Sequence, residues 1–259
     1  MAGISPGSRN LILIMLVVVV AGILIARSYY GKKNRVVDPR IRSARELYST
    51  YDRVALEGDY YRIFGLLDSI EKIYRSCPFY HASFELGVLD NNRGAAMLTL
   101  ALFGDSIPGS RNPYAGLNKD SILDLAEARI NRAILLYQDW NSRFSGKTAE
   151  QIREMIGDTF TAGLRDYDPS QVEKSLQNRI LETLEAVEEN MRRLSVCHTN
   201  LGVIYRLRKD YEEAAREYKL ALELWDRNLE AENNLNRLLN RPIKERNILQ
   251  KMFPPEREQ

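Results

Sequence analysis

Cysteine is nearly missing from these 259 residues, with only Cys77 and Cys197 present. That rules out the dense disulfide framework of a small secreted domain. Both cysteines fall in apolar, helically spaced settings, which reads as two buried thiols, with one bridge between them as the alternative. Histidine is equally scarce, at two. Proline and glycine number only nine and fifteen, too few to punctuate a many-stranded β-protein. An excess of one charge is also lacking: the net value of +2 denies the chain the broad basic face of a nucleic-acid binder. No phosphate loop G-x-x-x-x-G-K-[ST] and no H-E-x-x-H occurs, so the common nucleotide and zinc-protease signatures are absent. Nor is there an N-x-[ST] acceptor, which disfavours a glycosylating lumen.

What is present begins with an uncharged run, LILIMLVVVVAGILIA, over residues 11–26. A membrane span wants about 20 apolar residues, so this run suffices when Ser28, Tyr29 and Tyr30 extend it through the interface. The expectation is a tail at 1–10, a transmembrane anchor at 11–30 and a basic juxtamembrane linker at 31–37. A cleaved signal peptide is the competing reading, and the nearly uncharged leader and the interruption at Arg27 argue against it. Arg27, Lys32, Lys33, Arg35, Arg40, Arg42 and Arg45 follow the run, against Arg9 before it. The positive-inside rule then places the C-terminal bulk on the cytoplasmic side, with a periplasmic or luminal location as the alternative.

Beyond the linker the pattern is helical. Asp38-Pro39 reads as a cap and a first helical position. Apolar residues at spacings of three and four then run through Ala55, and Gly58 ends the helix. A second run extends from Asp59 to Cys77. Pro78 opens a third, holding Leu86-Gly87 and Leu89, and the polar group Asn91-Asn92-Arg93-Gly94 separates it from 95–103. Residues 105–118, dense in Gly, Pro, Ser and Asn, form the long loop, beyond the roughly 2–8 residues usual between helices, so it either divides the array or carries contacts. A helical insert is expected over 119–169, comprising a helix at 121–144 and a shorter one opened by the capping box Thr148-Ala149-Glu150-Gln151. Asp168-Pro169-Ser170 starts an apolar stripe that meets no Gly or Pro before Gly202, predicting one long helix over 170–208. A last helix at 229–239, a cap at 243–253 and a frayed end at 254–259 complete an all-α fold.

The chain is organised around residues 194–225, a helical hairpin with stripes on either side of the polar break Arg208-Lys209-Asp210. His198-x2-Leu201-Gly202-x2-Tyr205, then Ala214-x3-Tyr218, resembles the W-x2-L-G-x2-Y…A-x3-F order of a tetratricopeptide repeat, with His198 in the Trp slot and Tyr218 in the Phe slot. Asn234-Leu235 returns one 34-residue period after Asn200-Leu201. Gly58-Asp59-Tyr60 resembles the turn Lys209-Asp210-Tyr211, and Leu86-Gly87 resembles Leu201-Gly202, so residues 38–104 read as degenerate hairpins of the same kind. The resemblance implies an α-solenoid over 38–253 whose concave groove takes a peptide or helix of a protein partner. Inner-helix residues Asn200, Tyr205 and Asn234 are its contact candidates.

Chemistry is sparse. Cys77 with His81 and Cys197 with His198 would make a zinc set, yet adjacent Cys-His on one helix cannot easily aim both side chains at one ion. Glu185, Glu188 and Glu189 beside Arg192 and Arg193 read as a salt-bridged, solvated face. No catalytic residue, cofactor or metal is expected. The function expected is a membrane-anchored interaction scaffold or adaptor, the alternative being a structural subunit of a membrane-attached secretion, envelope or motility assembly.

Overall fold

A computed structural model describes residues 36–246. The expected tail 1–10, the anchor 11–30, most of the linker 31–37, the outer part of the cap 243–253 and the end 254–259 lie outside the described residues. Among those described, no helix is long and apolar enough to cross a membrane. The regular structure described is helical throughout: α1 (Arg42–Glu57), α2 (Tyr60–Ser76), α3 (Phe84–Phe103), α4 (Lys119–Phe144), α5 (Ala149–Ala162), α6 (Pro169–Leu207), α7 (Tyr211–Leu224) and α8 (Leu229–Leu238). The fold class is all-α. The long helix α6 and the capping box that opens α5 both form, the latter with the Thr148 and Gln151 side chains each bonding the other's backbone N–H.

Two of the helix–helix turns are built alike. Gly58 and Lys209 both take left-handed backbone, at φ 68° and 66°. Asp59 and Asp210 follow, and each carboxylate accepts the N–H three residues on, from Arg62 at 3.2 Å and Glu213 at 3.3 Å. Those bonds satisfy donors that the first helical turn would otherwise leave orphaned. The chain folds back at each turn, pairing α1 with α2 and α6 with α7.

A third pair, α3 with α4, is closed by the long loop. Gly87 faces Tyr137 and Gly94 faces Ile130, so numbers rise along one helix as they fall along the other, which is antiparallel packing. The loop therefore does not divide the array. It carries contacts, with Tyr114 edge-on to Phe64 at 5.2 Å between centroids and Asn112 buried.

Two expectations about this region are corrected. Asn91-Asn92-Arg93-Gly94 does not separate two helices, because α3 runs through it unbroken. The four residues are there for packing. A Cβ at Gly94 would stand 2.5 Å from Ile130 Cγ1, Arg93 reaches Asp68 at 2.7 Å, and Asn91 accepts bonds from Cys197 and Asn200 of α6. Pro78 also opens no α-helix, only a 3-10 turn over Pro78–Tyr80. That turn buries Tyr80 against Tyr74 and lets its hydroxyl donate to Asp38 at 2.9 Å, and α3 starts later, at Phe84.

The pairs are then joined in order. The Asn190 amide on α6 donates to the Tyr137 carbonyl of α4 at 2.8 Å, and the Tyr205 hydroxyl donates to Glu127 at 3.0 Å, so these helices run antiparallel. Helices α1, α3 and α6 run parallel: Arg45 of α1 approaches Glu85 of α3 and the Tyr48 hydroxyl accepts from Asn92, while Glu85 and Asn91 of α3 meet Arg179 and Cys197 of α6. The start of α8 is fixed by Asn228, whose amide donates to Ser195 and Thr199 on α6 at 2.8 and 2.9 Å.

Candidate functional site

Because α3 touches α1 on one side and α6 on the other, the three parallel helices enclose a groove of about 490 Å³, within the size range of ligand-binding clefts. Its apolar part comes from Phe84, Val88 and Leu89 of α3, Trp140 of α4 and Ala186 of α6, with Tyr48 and Tyr74 at the side. Its walls carry five carboxylates, Asp52, Glu85, Glu182, Glu185 and Glu189, against three guanidiniums, Arg45, Arg179 and Arg193. Glu182, Glu185 and Glu189 stand three and four residues apart, which puts them on one stripe of α6.

One end of the groove is closed by ion pairs. Arg179 is only 3% exposed and donates to Glu85 at 2.6 Å, while its guanidinium carbon lies 4.9 Å from the centre of the Tyr80 ring and 5.4 Å from that of Trp140. Arg45 spans from α1 to Glu182 of α6 at 2.8 Å and approaches Glu85 at 3.6 Å. Burial alone would raise the Glu85 pKa, but Arg179 and Arg45 outweigh it and hold the carboxyl at about 2. The same exchange keeps Arg179 above the ordinary guanidinium value: burial opposes its charge, and Glu85 more than restores it. At the apolar end, the Trp140 indole N–H is buried without an acceptor.

No protein-family model, curated protein or solved structure matches the chain. The geometry alone therefore carries the reading of this groove.

The contact candidates from the sequence do not line it. Asn200 donates to Asn91 Oδ1 at 3.1 Å, Tyr205 donates to Glu127, and Asn234 is buried with its oxygen accepting from Arg237 at 3.1 Å. Each is bonded within the chain, to α3, α4 and its own helix respectively, so they are not gathered into one site. The cysteines are free thiols, both buried, and burial pushes the Cys197 thiol up to about 12. His198 in the Trp slot lies 2.7 Å from Glu217 Oε2, and a ring nitrogen of His81 bonds the Arg75 carbonyl oxygen at 2.6 Å. Among the described residues, no group of three His, Cys, Asp or Glu is placed to hold a metal.

Two features escaped the sequence reading. Ala133-x3-Tyr137 repeats Ala214-x3-Tyr218, a signal that was open to view. Asp90, in the aromatic slot after Gly87, is fully buried and held by Arg132 at 2.5 Å and Arg129 at 3.3 Å from α4, so an ion pair does there what a ring does in the later hairpin.

Proposed function

We propose that the chain is a membrane-anchored protein–protein interaction scaffold of the tetratricopeptide type, without catalytic activity, whose hairpins stack as an α-solenoid. The supporting observation is a repeated join. A Cβ on Gly202 would meet the Tyr218 ring at 2.5 Å, and one on Gly87 would meet the Tyr137 ring at 2.7 Å. In both pairs the tyrosine follows an alanine by four residues, in the A-x3-aromatic order of that family. The leading helices of the three pairs run parallel beside the groove, as they would in a stack that offers a concave surface to a peptide or helix. Carboxylates committed to arginines speak against acid–base catalysis, since Glu85 at about 2 is too weak a base near neutral pH. The anchor and the cytoplasmic side rest on the apolar run at 11–26 and the basic residues after it, with the periplasmic or luminal side as the alternative.

Affinity purification of the full chain from detergent-solubilised membranes tests this. A scaffold stays folded alone and yields a partner in less than fixed ratio. A partner held in fixed ratio, with a chain that unfolds once stripped of it, would favour an integral subunit of an assembly instead.

A further inference from the structure

Helix α6 is longer than the helices packed on it. On its early part, α5 meets it at Glu173, which Arg153 bonds at 2.6 Å, and at Leu176, which comes 4.0 Å from where a Cβ on Gly157 would stand. On its later part, α7 ends over Ser195, whose hydroxyl donates to the Ala221 carbonyl at 2.6 Å, and the Trp225 ring lies 5.3 Å from the Arg192 guanidinium carbon. Between these two footholds Leu181 and Met191 are 45% and 48% exposed, and Leu184 is half-buried. Leu181, Leu184, Met191 and Ser195 stand three, seven and four residues apart, which puts them on one stripe of the helix. The base of α7 therefore sits on the top of this stripe and leaves its apolar lower part open. None of the three apolar residues lines the groove between α1, α3 and α6.

The end of the described chain is aimed at that opening. Asn236 donates to the Pro242 carbonyl at 3.2 Å, Asn233 exchanges two bonds with the backbone of Lys244 at 2.9 and 2.8 Å, and Arg246 donates to the Arg227 carbonyl at 3.0 Å. The Lys244 ammonium adds an ion pair with Glu232 at 3.0 Å. Numbers rise along 242–246 as they fall along α8, so this segment runs back down α8 to the turn between α7 and α8. That turn rests on α6, where the Asn228 amide bonds Ser195 and Thr199. Because α7 folds back on α6 and α8 on α7, the descending segment heads toward the lower-numbered part of α6, where the open stripe lies.

The residues that come next are NILQKMF at 247–253. Ile248, Leu249, Met252 and Phe253 share one face at helical spacing, and Pro254-Pro255 forbids a longer helix. From Leu181 to Met191 the stripe is about 15 Å long, and residues 247–253 span about 10 Å as a helix and up to about 23 Å extended.

We propose that residues 247–253 dock on the Leu181, Leu184 and Met191 stripe of α6, beneath the base of α7 and α8, with Ile248, Leu249, Met252 and Phe253 turned inward. The docked segment closes the gap between α5 and α7 and ties the end of the chain to the middle of its longest helix.

The test uses the full chain in zwitterionic nanodiscs. Native Cys77 and Cys197 are buried free thiols, so an engineered cysteine is read against a quiet background. A thiol introduced as Met191→Cys should react with an impermeant maleimide about tenfold more slowly than the same thiol in a chain also carrying Leu249→Asp and Met252→Asp. Met252→Leu, which keeps the apolar face, should leave the slow rate unchanged. Under mild oxidation, Met191→Cys with Met252→Cys should form a disulfide within one chain, and Lys219→Cys with Met252→Cys should not. The disulfide arm needs no destabilising change, so it decides even where the aspartate chain unfolds. Equal maleimide rates with and without the aspartates in folded chains, or equal disulfide yields from both cysteine pairs, overturn the proposal. So does a disulfide formed only between two chains, because a second copy would then be the occupant. Protection that survives the aspartates in nanodiscs and is lost in detergent micelles also overturns it, because lipid would then cover the stripe.

Discussion

Gly202 packs so closely beneath the Tyr218 ring that a single methyl group would have to push two helices apart. Gly202→Ala is expected to cost about 1–3 kcal/mol, as overpacking does, and to lower the urea midpoint of the chain. An unchanged midpoint would mean that the α6–α7 contact is looser than the geometry requires. Glu85 makes a prediction with a defined sign. Its folded pKa, about 2, lies below the ordinary value of 4.5, so its ion pairs stabilise the fold fully above about pH 4.5 and lose that effect as pH falls toward 2. The urea midpoint of the native chain should drop across that window, and that of Glu85→Gln should drop less. Parallel curves would deny the pair its role. At this scale the sequence was legible where a residue type has one use, as with the packed glycine of the Leu-Gly pair. It misled where polar residues are buried. Asn91, Arg93 and Asp90 look like surface or loop residues until their partners, far away in sequence, are known.

The helices were mostly readable because caps and turns are local. Asp59 and Asp210 each sit beside a left-handed residue, and one of the two turns supplies glycine while the other strains a lysine. Gly58→Ala should therefore cost about 1–2 kcal/mol and Lys209→Gly should gain up to about 1 kcal/mol, both read from thermal midpoints; a Gly58→Ala chain as stable as the native one, or a Lys209→Gly chain less stable than it, would show that the two turns are not equivalent. Thr148→Ala should remove about 1 kcal/mol through the lost cap, with faster amide exchange at the start of α5 and none of that change in α7. Uniform acceleration throughout the chain would mean that the box supports the whole fold. The break expected within α3 failed for a physical reason. Glycine and asparagine usually interrupt helices, but here Gly94 makes room for Ile130 and Asn91 serves α6, and tertiary contact overrides local preference. The long helix α6 was legible because its stripe of Leu176, Ile180, Leu194 and Leu201 never leaves helical period.

At the scale of the molecule, the groove joins residues as distant as Arg45 and Glu182, and no spacing in the sequence announces such a meeting. Glu185 and Glu189 were read as a solvated face, and the structure makes that face one wall of the groove. The candidates Asn200, Tyr205 and Asn234 were drawn from the repeat's inner helices, yet all three are bonded within the chain. Substituting Asn200 by alanine is therefore expected to lower stability by about 1 kcal/mol, read from the urea midpoint, and to leave capture at the groove unchanged. Weakened capture at full stability would return the contact to the place the repeat pattern gave it. The central claim, a membrane-held scaffold that works through this groove, is tested most directly by photo-crosslinking in intact cells, with a photoreactive residue in place of Ser49 in the groove or Lys219 on the outer face of α7. The account predicts a discrete adduct from position 49, recovered in the carbonate-washed membrane pellet, and none from position 219. Adducts from position 219 alone, or a chain that appears in the carbonate supernatant, would contradict it.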